Sequence, residues 1–365
     1  MHIEWLSLAG FRSYDELEWH PSEDVNVLVG RNGAGKTNLL EAVSYVAALK
    51  SFRGAPDEAL VAYGHESAFV RSSVVSADAT ALIEIEIRRR GGRRSMVNRQ
   101  RLARSAELLG HVRIVAFLPE DLDIVKRGPA LRREFIDDVA VQLWPAAHVE
   151  QSEFERAVRQ RNAFLKQGSG DEVTLSVWDE RLAMAGGRVM GRRARALAAI
   201  LAHLEEAHRR VSESEVGVGV EYHSAWGGEL DPSVPVSELT DRLRRTLEER
   251  RREDRDRRVT TAGPHRDEPV LVLGGHDARH HASQGEQRTV ALALRLAAHR
   301  AIAESTGAAP VLLLDDVYSE LDPGRGTALT NALPRAQTIV TTAHPGDVPL
   351  QGSVWSVEAG NVVPA

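Results

Sequence analysis

The chain contains no cysteine and only four lysines, at positions 36, 50, 126 and 166, beside forty-two arginines. The first absence excludes disulfides, thiolate metal sites and cysteine nucleophiles, and the expected compartment is the cytoplasm. The second means that arginine serves almost wherever a cation will do, so a lysine at a special place is conspicuous. No run of about eighteen apolar residues occurs. The N-terminal stretch "MHIEWLSLAGFRSYDE" carries acids and lacks a basic segment followed by a long apolar one. A protein that is neither exported nor membrane-spanning is expected. Internal repeats and low-complexity linkers are also missing. What is present is 365 residues with 42% hydrophobic content and a net charge of −6, enough for a large core and two lobes. That net charge selects no class of partner.

Residues 1–120 read as strands around one helix: "HIEWLSL", "DVNVLVG", a helix over 36–50, and "ALIEIEIRRR" in strict alternation. "GG" at 91 and 92 turns that last strand into a hairpin with "RRSMVNRQRL". From about 128 to 260 apolar residues recur at helical spacing, interrupted by the strand "GVGVEYH". Strand and helix alternate again after 310. The expected fold class is α/β, with one lobe from 1–120 and 305–365 and a mainly helical lobe inserted over 121–304.

"GRNGAGKTN", residues 30–38, carries the full phosphate-loop spacing, with Gly30, Gly35, Lys36 and Thr37 in the fixed places. Backbone N–H groups converge on a phosphate only where side chains are absent, which explains Gly30, Gly33 and Gly35. The helix starting near Lys36 adds its positive end. Lys36 is the lysine that matters, because a compact ammonium fits between phosphate oxygens where a planar guanidinium is too wide. Thr37 offers its hydroxyl to Mg²⁺. The remaining loop residues, Arg31, Asn32, Ala34 and Asn38, complete the expected nucleotide-binding set.

"PVLLLDD", 310–316, reads as a buried parallel strand ending in two acids. Asp315 is the expected Mg²⁺ partner opposite Thr37, and Asp316 the group that orients or polarises the attacking water. Three further stretches are "SQGEQR" (283–288), "SELD" (319–322) and "TTAH" (341–344). Singly, these read equally well as a helix cap, an ordinary turn and a strand-end histidine. Together and in this order, they resemble the signature, D-loop and switch histidine of the ABC-type ATPases. That resemblance implies that Ser283, Gln284, Gly285 and Glu286 act in trans on a nucleotide held by a second copy. It further implies that Ser319 and Asp322 belong to the D-loop and that His344 takes part in catalysis.

"LSLAGFRSYDELEW", "FLPEDLDIVKRGPALRREFID" and "TTAGPHRDE" make the likeness closer, and the chain resembles the RecF family of bacterial recombinational-repair ATPases. The resemblance implies an ABC-type ATPase head without the long coiled coil of SMC and Rad50, since only about 160 residues separate Phe117 from Ser283 and no sustained heptad run fills them. It places Arg12 on the nucleotide phosphates. It implies ATP and Mg²⁺ as cofactors and an ATP-dependent head-to-tail homodimer. DNA at gaps or single-strand/double-strand junctions is the expected ligand, with RecO and RecR as partners in loading RecA. Two departures stand out: Ala282 and Glu286 replace the signature's usual Leu and Gln, and Asp316 is one methylene shorter than the usual glutamate. A shorter base places water less well, so a weak, DNA-stimulated ATPase is expected. The alternatives are a transporter's nucleotide-binding subunit and an ATP-holding DNA scaffold without turnover.

For DNA contact, the hairpin offers seven arginines, 88, 89, 90, 93, 94, 99 and 101, with no acid between them in the sequence. No aromatic residue is interleaved, so a grip on duplex backbone is expected rather than base stacking. Arg192, Arg193 and Arg195 form a second basic segment. The arginines of 242–258 alternate with acids and read as a self-paired solvated face.

Overall fold

A computed structural model describes residues 1–76, 79–168, 171–228, 230–358 and 360–365. The chain divides into two compact units. One takes Met1–Asp121, Glu206–Ser214 and Leu292–Ala365; the other takes Leu122–Glu205 and Glu215–Ala291.

In the first unit, five short strands run parallel in the order Ser353–Glu358, Val25–Val29, Thr338–Thr342, Val311–Asp315, Ile114–Phe117, with Asn361–Pro364 added antiparallel at the edge. "VLLLD" and "TIVTT" are buried at every residue, as continuous apolar runs covered on both faces must be. Because these strands are parallel, their carboxyl ends share one edge of the sheet. That edge carries Gly30, Asp315 and Thr342, and ligands of open α/β sheets bind there.

A second sheet of six antiparallel strands follows the order Tyr14–Trp19, His2–Phe11, Ser67–Ser76, Ala79–Arg88, Arg93–Val97, Gln100–Arg101. Along Ala79–Arg88, Ile83, Ile85 and Ile87 are buried while Glu84 and Glu86 face outward, so the alternation fixes which face is covered. The Gln337 amide joins the two sheets: its oxygen accepts the Ile3 N–H at 2.7 Å and its nitrogen donates to the carbonyls of Ile3 and Ser22, both at 2.8 Å.

The second unit consists of helices with a small sheet, His276–Asp277, Glu268–Leu273, Val218–His223. Leu239, Leu243 and Leu247 of the helix Val236–Glu249 pack with Phe154, Leu182, Met190 and Trp226. The approach is close: a Cβ on Gly187 would lie 2.2 Å from Thr240 Oγ1. Buried arginines tie the helices together. Arg161 donates to Asp179 at 2.7 Å and to Asp254 at 2.6 Å, and Arg193 grips both oxygens of Asp137 at 2.7 Å. Among the described residues the longest helix is Glu172–Ser212, and no long coiled-coil arm is formed.

Candidate functional site

The strand "VNVLV" leads into the loop 30–35 and then into the helix Lys36–Ala48. The loop's tightness follows from its glycines. A Cβ on Gly30 would lie 2.5 Å from the Val357 carbonyl oxygen, and Gly35, at φ 110°, is pressed by Ser13 Oγ and Tyr14 Oη at 2.9 and 3.0 Å from where a Cβ would be. Two braces from the N-terminal sheet fix the far side: Tyr14 Oη donates to the Gly35 carbonyl at 3.0 Å and Asn38 Nδ2 to Ser13 Oγ at 2.9 Å. No side chain caps the helix Lys36–Ala48, and no acid sits in its first turn. Its first N–H groups therefore point toward the loop, a cradle suited to an anion.

Lys36 is buried, and its ammonium donates to the carbonyls of Gly30 and Arg31 at 2.6 and 3.2 Å. Burial lowers its pKa, and the charges of Asp316 and Asp315 oppose that shift. Asp315 Oδ1 accepts from Thr37 Oγ1 at 3.1 Å and from Thr341 Oγ1 at 2.7 Å. Burial raises the Asp315 pKa, the two threonine hydroxyls pull it down, and the neighbouring charges of Asp316 and Glu120 push it further up. Hydroxyl and carboxylate thus already touch where Mg²⁺ is expected to join them, and hard oxygen donors suit that ion.

Asp316 follows in the left-handed region at φ 51°, its N–H donating to Thr341 Oγ1 at 2.9 Å. Its Oδ1 is buried and, among the described residues, has no hydrogen-bond partner. Unmatched buried carboxylate oxygens are costly, and one at the carboxyl edge of a parallel sheet is suited to hold a water. Thr341 organises both acids. The sequence reading quoted "TTAH" for His344 and gave Thr341 no role; its signal was a hydroxyl residue in a strand that lies between the two motif strands.

Arg12 sits at φ 52° with its guanidinium forked onto the fully buried Glu41, at 2.7 and 2.9 Å, and a third N–H on the Ala59 carbonyl at 3.0 Å. Ser51 also donates to Glu41. Three of the five guanidinium N–H donors are thus engaged. Arg31, Asn32 and Gly33 are exposed and Ala34 is half-buried. His344 is exposed beyond the strand Thr338–Thr342. Ser319 donates to the Asp316 carbonyl at 2.8 Å, and Asp322 caps the helix Pro323–Ala332 by accepting the Arg325 N–H at 3.0 Å.

In the second unit, Ser283 opens the helix Gln284–Thr306 with a reciprocal cap: its N–H donates to Glu286 Oε2 at 2.7 Å, and its Oγ accepts the Glu286 N–H at 3.4 Å. Glu286 therefore has a local role in the cap, one that a glutamine oxygen could also fill. Because Oγ accepts in this cap, its own O–H is left to donate to a ligand. Gln287 fastens the start of the helix to the carbonyls of Ala278 and Arg279, both at 3.1 Å.

The arginine hairpin forms as expected, with Ile87 opposite Arg93 and Glu86 opposite Arg94. Counting along 88–101 overstates its free charge, because Glu86, just before the run, and Asp57, distant in sequence, lie against it. Arg88 and Arg94 lie 2.9 and 3.8 Å from Glu86. Arg93 meets Asp57 at 3.3 Å, donates to the Leu49 carbonyl and lies over the Tyr45 ring. Arg89 is spent on backbone carbonyls. Arg90, Arg99 and Arg101 are exposed, and among the described residues no carboxylate pairs with them. The second basic segment is structural: Arg193 is buried on Asp137, Arg192 is forked onto Glu150 at 2.7 and 3.0 Å, and Arg192 and Arg195 both lie over Trp144.

Residues 2–357 match the family model described as the RecF/RecN/SMC N terminal domain. The DNA replication and repair protein RecF of Paenarthrobacter aurescens (strain TC1) is 37% identical over 395 residues, covering 99% of each chain. A solved structure of the recombination mediator protein RecF-ATPrS in the RecFOR pathway superposes with a TM-score of 0.92 at 30% identity, covering 100% of this chain and 98% of that one. An Smc head bound to the C-winged helix domain of ScpA shares the fold, at a TM-score of 0.57 and 19% identity over 100% of this chain and 98% of that one.

Proposed function

The chain belongs to the RecF family of DNA replication and repair proteins, and we propose that it binds and slowly hydrolyses ATP to control a DNA clamp. In this reading two copies pair head-to-tail on two ATP·Mg²⁺ and grip DNA at a gap or single-strand/double-strand junction. There they assist RecO and RecR in loading RecA. The observation that carries the reading is the line Thr37–Asp315–Thr341 beside an Asp316 oxygen that is buried and unmatched.

Lys36 exchanges its carbonyl partners for phosphate oxygens, and the first turn of its helix supplies N–H groups to the same phosphates. Thr37 and Asp315 would hold Mg²⁺, which would neutralise phosphate charge. Asp316, fixed by Thr341, orients water and takes its proton. His344, Ser319 and Asp322 stand at the exposed edge where a second copy would close. From that copy, Ser283 donates its O–H and the uncapped N–H groups of its helix face the γ-phosphate.

Single-turnover phosphate release, with and without gapped duplex, tests the enzymatic part, and sedimentation in Mg·ATP tests the pairing. Slow release accelerated by DNA is expected, with dimers for the unsubstituted chain and monomers for Ser283→Arg. Bound ATP that never turns over would leave a scaffold, and a Ser283→Arg dimer would remove the signature's role in trans.

A further inference from the structure

Tyr63 is exposed at 101% of its reference surface, well beyond the next large apolar side chain, Val173 at 74%. It stands at the corner of a four-residue turn closed by the His65 N–H on the Ala62 carbonyl at 3.1 Å, with Gly64 at φ 86° as the second corner. The turn is not loose. Arg89 Nη2 donates to the carbonyls of Ala62 and Val61 at 2.8 and 3.1 Å, Arg89 Nε to that of His65 at 3.1 Å, and the Arg89 N–H to that of Glu66 at 2.9 Å. One arginine therefore clamps both ends of the turn to the tip of the basic hairpin. Arg90, the next residue, is exposed, and Gly91 and Gly92, at φ 100° and 75°, add no bulk there. Of the nearby acids, Asp15 lies against His65 at 3.3 Å and Glu66 follows in the chain. The structure brings an aromatic ring to the arginines that the sequence left without one.

We propose that Tyr63 is a stacking platform for an unpaired nucleobase, placed beside the arginine hairpin so that a strand interruption in DNA is recognised there. The inference rests on the DNA-binding reading above and deepens it. A tyrosine on a clamped backbone turn offers a large flat face with only two side-chain torsions to fix. Bases inside an intact duplex have both faces covered by their neighbours, whereas the first base of a gap has one free. Arginines at the hairpin hold backbone in either case, and only the gap gains the ring.

The test is fluorescence anisotropy of labelled gapped and intact duplexes of equal length with the full chain, a non-hydrolysable ATP analogue and Mg²⁺. Tyr63→Ala should weaken the gapped duplex about tenfold and change the intact one by less than about twofold. Tyr63→Phe and Tyr63→Trp should keep the preference, since the ring and not the hydroxyl is used. A 2-aminopurine at the first unpaired position should be quenched by the unsubstituted chain and not by Tyr63→Ala. Equal affinities of Tyr63→Ala and the unsubstituted chain for gapped DNA overturn the inference, as does equal loss on both duplexes. If the unsubstituted chain binds neither duplex, the DNA reading fails and this site with it. If it binds both and only the substitution has no effect, the platform alone is rejected.

Discussion

Replacing Arg90, Arg99 and Arg101 together by alanine should remove most of the hairpin's contribution to DNA affinity. The expected size follows from how the seven arginines are used. Arg89 is bound to three carbonyls, Arg93 to Asp57 and a carbonyl, and Arg88 and Arg94 to Glu86. The other three are exposed and pair with no carboxylate among the described residues, so their charge is available to phosphates. Each neutralised phosphate contributes about −0.9 to the slope of log K against log salt, so three lost contacts should reduce the slope by about 2.7 per chain. Replacing Arg192, Arg193 and Arg195 instead should leave the slope unchanged. It should cost about 3–5 kcal/mol in stability, because Asp137 would be left buried without its partner. Anisotropy of a labelled duplex across a salt series reads the slope, and urea unfolding reads the stability. An unchanged slope for the Arg90/Arg99/Arg101 variant, or a flattened slope with intact stability for the other, would refute the assignment.

Asp316→Asn should retain ATP binding and lower single-turnover phosphate release by about 10²- to 10⁴-fold, the usual contribution of a general base; a rate within tenfold of the unsubstituted chain rejects that role. Gly35→Ala should weaken ATP binding more than Gly33→Ala in equilibrium titration, because Gly35 at φ 110° is hemmed in by Ser13 and Tyr14 while nothing lies within 4 Å of a Cβ on Gly33. The His299 ring lies 3.0 Å from the Pro310 carbonyl, and burial lowers its pKa to about 4. The folded state therefore takes up its proton later than the unfolded state, and stability is lost as pH falls from about 6.5 toward 4. His299→Gln should reduce the loss between pH 7 and pH 5, measured from urea midpoints, by about 2 kcal/mol. Equal losses in both proteins reject the linkage.

The phosphate loop, its strand and helix, and the acid-ended strand were legible because each is a local pattern with one physical solution. The hairpin was legible too, through strict alternation ending in Gly91 and Gly92. What resisted was everything set by pairing across distance. The glutamate opposite Arg94 sits eight positions away in the sequence and directly opposite in the sheet. Arg193 looks like the half-buried Arg192 and Arg195 beside it until Asp137 is placed against it. Thr341 is one of two consecutive threonines after an apolar pair, and only strand order shows that it lies between Leu28 and Asp315. Nor does periodicity mark where the helices Glu172–Ser212 and Gln284–Thr306 pass from one compact unit to the other, because both units bury one face of the same helical repeat.

The bonding at the site bears on why hydrolysis should be slow. Lys36 rests on two loop carbonyls, and Thr37 and Thr341 rest on Asp315. A nucleotide therefore replaces existing bonds of these groups rather than satisfying bare charges, and each exchange returns only the difference between two partners. Asp316 is the exception: its backbone is anchored by Thr341 while one carboxylate oxygen has no partner. That oxygen is fixed by a short side chain on a residue already held at φ 51°, so it has little freedom to follow water toward a phosphate. Lengthening the arm should then help. Asp316→Glu is expected to raise the rate of phosphate release severalfold with ATP affinity unchanged. A slower Glu variant with an intact fold would mean that the position of the oxygen, not its reach, sets the rate.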